Sequence, residues 1–237
     1  MEKLFEYDLN DLPENPSIVL CGKRRSGKGV LTKDLCYNYF RGKVDNVFLF
    51  SPTSEIAINQ IDYVPYEYRY TELNVNVIEM ILKRQEYLIK GSKNNPKKHR
   101  ILLILDDVVA SIDARQRKVL DKLFICARHF RISLLVSYQY LKGDHFSPTA
   151  RDNVDVIFVF QQNNFNNKEA LVLQYLNTTE NKGAGYELIN ENAVGYQCLV
   201  ISNTETSNDY IDYCFTYEAD MIQKKFKLGR DYQDSLS

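Results

Sequence analysis

Gly22, Gly27 and Lys28 stand in the spacing G-x-x-x-x-G-K, inside the run Gly22, Lys23, Arg24, Arg25, Ser26, Gly27, Lys28, Gly29, Val30. That spacing suits a phosphate-binding loop. The glycines let backbone N–H groups turn inward around a β-phosphate, and the lysine reaches the β- and γ-oxygens. The residue after the lysine is commonly Ser or Thr, whose hydroxyl holds Mg²⁺. Here it is Gly29, a departure, and Thr32 lies almost a helical turn too far along to substitute for it. A glycine-rich turn with a chance lysine would look the same in isolation. The flanks favour the phosphate reading: the apolar run Ser17–Cys21 precedes the loop, and a helical pattern opens at Lys28 with its positive end toward the same phosphates.

A second constellation is acidic. Ile101–Leu105 reads ILLIL and ends in Asp106 and Asp107. A carboxylate closing an apolar strand can hold Mg²⁺ beside a nucleotide's phosphates, which is the role expected of Asp106. Asp107 is then placed to orient or deprotonate an attacking water, unless it merely serves the helix starting near Asp113. Gln139 closes the next apolar strand. Its carboxamide could bond both a γ-phosphate and the attacking water, or it could be a structural strand-end glutamine. Arg128, beside His129, and Arg151 are candidates to stabilise transition-state charge, either in this chain or from a neighbouring subunit. His99, His129 and His145 have no spacing that suggests a metal site, and no Ser/His/Asp or Cys/His set stands out.

Positioning these groups requires strands that alternate with helices. The pattern predicts strands at Ser17–Cys21, Asn46–Phe50, Ile101–Leu105, Ile132–Val136 and Val154–Phe160. It predicts helices near Lys28–Phe40, Asn76–Ile89, Asp113–Ala127 and Asn167–Tyr175. Farther on it suggests a hairpin of Gly185–Asn190 with Tyr196–Ser202, a last strand at Tyr210–Tyr217 and a helix at Ala219–Phe226. Such alternation makes a mainly parallel α/β sheet flanked by helices, with a C-terminal β-hairpin extension. Ligands in these sheets bind at strand carboxyl ends. Lys28, the Ser51-Pro52-Thr53 turn, Asp106 with Asp107, and Gln139 should therefore meet in one crevice. The expected organisation is a single domain over 1–237, with a lead-in at 1–16, a nucleotide-binding core at 17–160, and C-terminal strands and a helix at 161–237.

With 237 residues, 44% apolar and 26% charged, the chain is ordinary for a globular protein in water. A net charge of −1 removes any global nucleic-acid footprint. The basic stretch Lys90–Arg100 is either a solvated loop or a contact for a phosphate backbone. Five scattered cysteines without C-x-x-C pairs suggest reduced thiols. The acidic start MEKLFEYDLNDL lacks the apolar core of a secretory signal, and no apolar run approaches the roughly 18 residues of a membrane span.

Taken in order, GKRRSGKG, VFLFSPT, ILLILDD, ARHFRISLLVSYQ and PTARDNVDVIFVF resemble the poxvirus-type genome-packaging ATPases of large DNA viruses and virophages, in the FtsK/HerA superfamily. The resemblance runs from about Ser17 to Tyr217. It implies a RecA-like P-loop fold and ATP hydrolysis with Mg²⁺, coupled to moving double-stranded DNA into a preformed capsid. It also implies a homo-oligomeric ring that meets a capsid or portal component in the host-cell cytoplasm, at the viral factory, with transient association with the virion. By position, Lys28 binds phosphate, Asp106 binds Mg²⁺, Asp107 matches the catalytic acid and Gln139 the sensor. Arg128 or Arg151 would be the arginine that reaches a neighbour's ATP. Gly29 departs from the family pattern and puts the rate of hydrolysis in question more than binding. Two alternatives remain: a small P-loop nucleotide kinase, and a nucleotide-binding subunit that hydrolyses little.

Overall fold

The structure is a computed structural model. It describes residues 3–229 other than 57–59, 93, 96, 110–111, 142–145, 177–181 and 208. In chain order the elements begin with β1 (Ser17–Cys21), α1 (Lys28–Asp34), β2 (Asn46–Phe50), β3 (Arg69–Tyr70) and α2 (Val75–Gly91). Then come β4 (Ile101–Leu105), α3 (Ala114–Cys126), β5 (Ile132–Tyr138), α4 (Pro148–Asn153) and β6 (Val156–Val159). The chain finishes with α5 (Phe165–Tyr175), α6 (Lys182–Asn192), β7 (Gln197–Ser202), α7 (Tyr210–Tyr213) and β8 (Cys214–Glu218). The eight strands form one sheet in the order β3-β2-β4-β5-β1-β6-β7-β8. Pairing is parallel from β3 through β6, and β7 and β8 add to the β6 edge antiparallel.

The central strands are apolar because both faces are covered. Val19, Leu103 and Leu134 pack into one core with α2, α3, α5 and α6. Ile18, Leu20, Leu102 and Ile104 pack into the other with α1 and the aromatic lead-in residue Tyr7. Strands buried on both sides read as unbroken apolar runs, which is why β1, β2 and β4 fall where the pattern predicts. Helix ends follow local chemistry as well. Asp113 and Gln116 form a reciprocal capping box at the start of α3, and Asn74 caps α2 through the Val77 N–H.

Four expectations need correction. The helix from Lys28 turns π-helical over Leu35–Phe40 instead of continuing as α. The widened turn lets Leu35, Cys36, Tyr39 and Phe40 all bury. Gly185–Asn190 is no hairpin arm: it lies in α6, where Gly185, Leu188, Ile189 and Ala193 bury at helical spacing. Gly185 lets α6 approach α5, since a Cβ there would sit 3.0 Å from Val172. The C-terminal hairpin is instead β7 with β8, and Tyr210–Tyr213 is a helical turn before it. Ala219–Phe226 is irregular; Phe226 anchors it, stacked on Tyr63 at 5.3 Å and edge-on to Tyr37 at 5.1 Å, with Ala219 and Ile222 packed on the same core. The small edge strand β3 and the short helix α4 carry too little periodicity to be read in advance.

The described part of the basic loop is held in place. Arg131, in the left-handed conformation at φ 56°, donates to the Ser92 hydroxyl and to the carbonyls of Ser92, Asn95 and Lys98. The basic residue Lys93 lies outside the described residues, as does the further basic stretch Lys142–His145.

Asp34 is a fully buried carboxylate on α1 that accepts from the Tyr217 hydroxyl on β8 at 2.7 Å and from the Asn38 amide. Burial raises its pKa, and those two bonds oppose the rise. A carboxyl raised in the fold gives stability below its unfolded pKa and loses it as pH climbs through the folded value. Asp34→Asn is therefore expected to melt above the parent at pH 7, since Asn38 can turn its amide over and keep the bond. The two melting curves should converge in acid. A variant that melts lower at pH 7 would mean that the charged hydrogen bonds outweigh the desolvation.

Candidate functional site

Every expected polar strand end lies on the same edge of the sheet, because β2, β4, β5 and β1 are parallel neighbours. The loop between β1 and α1 is pinned at its start, where Gly22 N–H donates to the Tyr138 carbonyl at 3.0 Å. A Cβ on Gly22 would come within 2.5 Å of the Ser26 hydroxyl and 2.8 Å of Phe160, so only glycine fits. Gly27 takes φ 106°, and Arg25 also lies in the left-handed region at 61°. Lys28 is buried, and its Nζ donates to the loop carbonyls of Gly22 and, at 3.0 Å, of Lys23. Burial pulls its pKa down, while Asp107 and Asp106 pull it back up. The ammonium and the two carboxylates therefore share one electrostatic site.

Asp106 ends β4 half-buried. One carboxylate oxygen accepts from Ser137 at 2.7 Å and the other from Ser51 at 3.3 Å. Burial raises its pKa most, Ser137 opposes that, and Asp107 adds to it. Asp107 sits at φ 54°, unusual for a residue with a side chain. Its N–H donates back to the Ser137 hydroxyl at 3.0 Å. Ser137 thus holds one aspartate by its carboxylate and the next by its backbone. Gln139 leans toward Asp107, with Nε2 3.4 Å from the carboxylate. Lys28, Asp106, Asp107, Gln139 and the Ser51-Pro52-Thr53 turn do meet in one crevice.

Arg128 and Arg151 do not. Arg128 lies in the short helical turn before β5, beside Ser17 and Asp155 at the opposite edge of the sheet. Arg151 lies in α4 before β6, with its Nε on the Phe146 carbonyl. Within one chain, neither reaches Lys28.

Ser51 and Ser137 hold the Asp106 carboxylate, a part that spacing did not single out. Their one signal was a hydroxyl closing an otherwise apolar strand. Tyr196 gave none: its ring lies against Gly27, 3.3 Å from where a Cβ would stand. Tyr196 joins Val30, Thr32, Asp106, Met221 and Ile222 around a cavity of about 560 Å³ beside the loop.

Can this edge hold a divalent cation? Among the described residues no group of three or more His, Cys, Asp or Glu could do so. The donor set is one carboxylate, Asp106, flanked by the hydroxyls of Ser51 and Thr53. Such hard oxygen donors suit Mg²⁺ bound largely through water and phosphate oxygens. Thr32, almost a helical turn beyond the usual position, turns its hydroxyl back to donate to the Lys28 carbonyl at 2.9 Å. Gly29 is open: a Cβ there would meet nothing within 4 Å.

The chain matches the family described as Poxvirus A32 protein over residues 2–229. An uncharacterized protein of Acanthamoeba polyphaga mimivirus, L437, is 26% identical over 98% of this chain and 82% of its own length. Among solved structures, the genome packaging NTPase B204 of Sulfolobus turreted icosahedral virus 2, in complex with AMPPCP, aligns with a TM-score of 0.53. It is 17% identical and covers 88% of this chain and all of that one. The conjugation coupling protein TcpA with ATPγS aligns with a TM-score of 0.60, at 13% identity over 93% of this chain and 70% of that one. These likenesses show the fold that the chain shares with those proteins.

Removing the Ser137 hydroxyl tests how the edge is built. Ser137→Ala leaves the Asp107 N–H without its partner and is expected to cost about 1–3 kcal/mol in urea unfolding. A loss near zero would mean that water satisfies the group and the serine is not the clamp.

Proposed function

The chain belongs to the poxvirus A32 protein family, and from that premise we propose that it is an ATP-hydrolysing motor that moves double-stranded DNA into a viral capsid. The observation that carries the reading is the single crevice in which Lys28, Asp106, Asp107 and Gln139 meet. A loop of this shape accepts phosphates on its N–H groups, and Lys28 leaves its two carbonyl partners to neutralise β- and γ-oxygens. Asp106 would hold Mg²⁺ with the hydroxyls of Ser51 and Thr53 behind it. The ion's part is to neutralise charge on the phosphates.

Asp107, strained into a left-handed turn and tied to Ser137, is placed to orient a water and accept its proton. Gln139, leaning on that carboxylate, can bond the same water and the γ-phosphate. Tyr196, Met221 and Ile222 offer a nucleobase an apolar wall beside Gly27.

B204, a genome packaging NTPase seen in complex with AMPPCP and with ATPγS, supports the same use of the fold. Arg128 and Arg151, on the far edge, fit a ring in which one of them serves a neighbour's nucleotide. A ring also explains how a chain of net charge −1 could hold DNA, since weak basic contacts repeated around an axis act together. The Asp-Asp edge with a glutamine on the next strand argues against a small nucleotide kinase. Gly29 keeps the slowly hydrolysing subunit as the second reading.

A DNA-stimulated ATPase assay on the full chain decides between them. We expect turnover that rises with duplex DNA and disappears in Lys28→Ala together with nucleotide binding. Asp107→Asn should keep nucleotide affinity yet lose turnover by about 10²-fold or more, while Asp106→Asn also weakens Mg²⁺-dependent binding. Identical behaviour of the two asparagine variants would sink this division of roles.

Gly29→Ser provides a gain-of-function test. The open space at Gly29 admits the side chain, and the new hydroxyl should tighten Mg²⁺-ATP and speed hydrolysis. An unchanged or slower variant would mean that water already fills that position.

A further inference from the structure

Two carboxamides are buried where β1 runs into the loop, and the chemistry above uses neither. Gln162, just past β6, is 5% exposed, and Asn167, in the first turn of α5, is 2% exposed. Asn167 Nδ2 donates to Gln162 Oε1 at 2.5 Å and lies 3.7 Å from the Cys21 thiol. Gln162 Nε2 donates to the Cys21 carbonyl at 3.2 Å. Asn167 Oδ1 accepts from the Leu141 N–H at 2.9 Å. An unbroken chain of hydrogen bonds thus runs from Cys21, the residue before the phosphate loop, to the backbone two positions beyond Gln139.

Local structure does not require most of it. The Cys21 carbonyl already accepts from the Phe160 N–H at 2.8 Å, and α5 has its own cap in Asn164. Apolar side chains of the same volume would fill the space without burying two amides. A fully satisfied buried network fixes the relative position of the segments that it joins. Here those are the start of the loop, the first turn of α5 and the segment that carries Gln139.

We propose that Asn167 and Gln162 are positioning residues that couple Gln139 to the phosphate loop, so that a γ-phosphate met by Gln139 shifts the loop and α5 together. The proposal rests on the crevice being a nucleotide site, and the test keeps the two apart.

Gln162→Met removes the link to Cys21 while leaving the Asn167–Leu141 bond intact. Asn167→Leu removes the Leu141 and Gln162 bonds and leaves the Gln162–Cys21 bond in place, so it breaks the chain at its other end. Hydrogen exchange of the full chain would be followed with ADP and with a non-hydrolysable ATP analogue. In the parent, both nucleotides should protect residues 22–30, and only the analogue should change exchange at residues 160–168.

In Gln162→Met the protection at 22–30 should persist and the analogue-specific change should vanish. The preference for the analogue over ADP should fall about tenfold, a typical coupling between sites, and kcat should drop with KM little altered. Asn167→Leu should do the same, at some cost in stability.

An analogue-specific response retained in both variants would overturn the relay. So would a parallel loss of affinity for both nucleotides that tracks melting temperature, because the pair would then be packing alone. If neither nucleotide protects 22–30 in the parent, the nucleotide-site reading itself falls, and the relay with it.

Discussion

The site depends on keeping charge at the rim of an apolar sheet. Lys28 and the Asp106–Asp107 pair sit where strands that are dry on both faces reach the surface. Burial lowers the Lys28 pKa and raises that of Asp106, so it works against both charges. They persist because the Lys28 ammonium offsets the two carboxylates, and because hydroxyls and loop carbonyls complete the hydrogen bonds. A buried charge stripped of such partners would be strongly destabilising. On the proposed reading, the same shortage of water strengthens the contacts made to arriving phosphate oxygens once Lys28 leaves its loop carbonyls.

The strand order explains why so few residues suffice. β1 lies between β5 and β6, so the loop it feeds has the strand that leads to Gln139 on one side and the Gln162 segment on the other. β4 is one strand further, which puts Asp106 and Asp107 beside Ser137 on β5. β2 comes next and delivers Ser51 to the opposite oxygen of Asp106. Neighbouring parallel strands bring their last residues together without any long-range loop, which is the general reason for sites at this edge. It is also why Arg128 and Arg151, placed before their strands and not after them, end up on the other side of the molecule.

Much of this was legible in the sequence because burial on both faces leaves unbroken apolar runs. β2 and β4 match the predicted residues, and the polar caps on those runs named the crevice. The C-terminal third was less legible. Gly185, Leu188 and Ile189 were taken for strand residues because glycines and an asparagine nearby suggested a turn, whereas tertiary packing on α5 makes them a helix. The segment after β8 has apolar residues near helical spacing, yet one aromatic, Phe226, seats it by stacking on Tyr63. Ser137 and the Gln162–Asn167 pair could not be assigned from spacing alone. Their roles come from strands that are adjacent in space and distant in sequence.

Gly29 makes sense in this setting. A hydroxyl at that position normally adds a fixed oxygen ligand for the cation, and its absence leaves open space, not a collapsed turn. Ser51, Thr53 and Ser137 crowd around Asp106 instead, bonded to the carboxylate or to one another. Two hydroxyls that hold a single carboxylate, with Thr53 behind one of them, fix the direction of its lone pairs, much as outer-sphere partners orient a metal ligand. The departure from the usual loop is thus met by a carboxylate more tightly oriented than one strand end would provide. On the proposed reading, the burden of placing a cation moves from the helix that follows the loop to the edge formed by β2, β4 and β5.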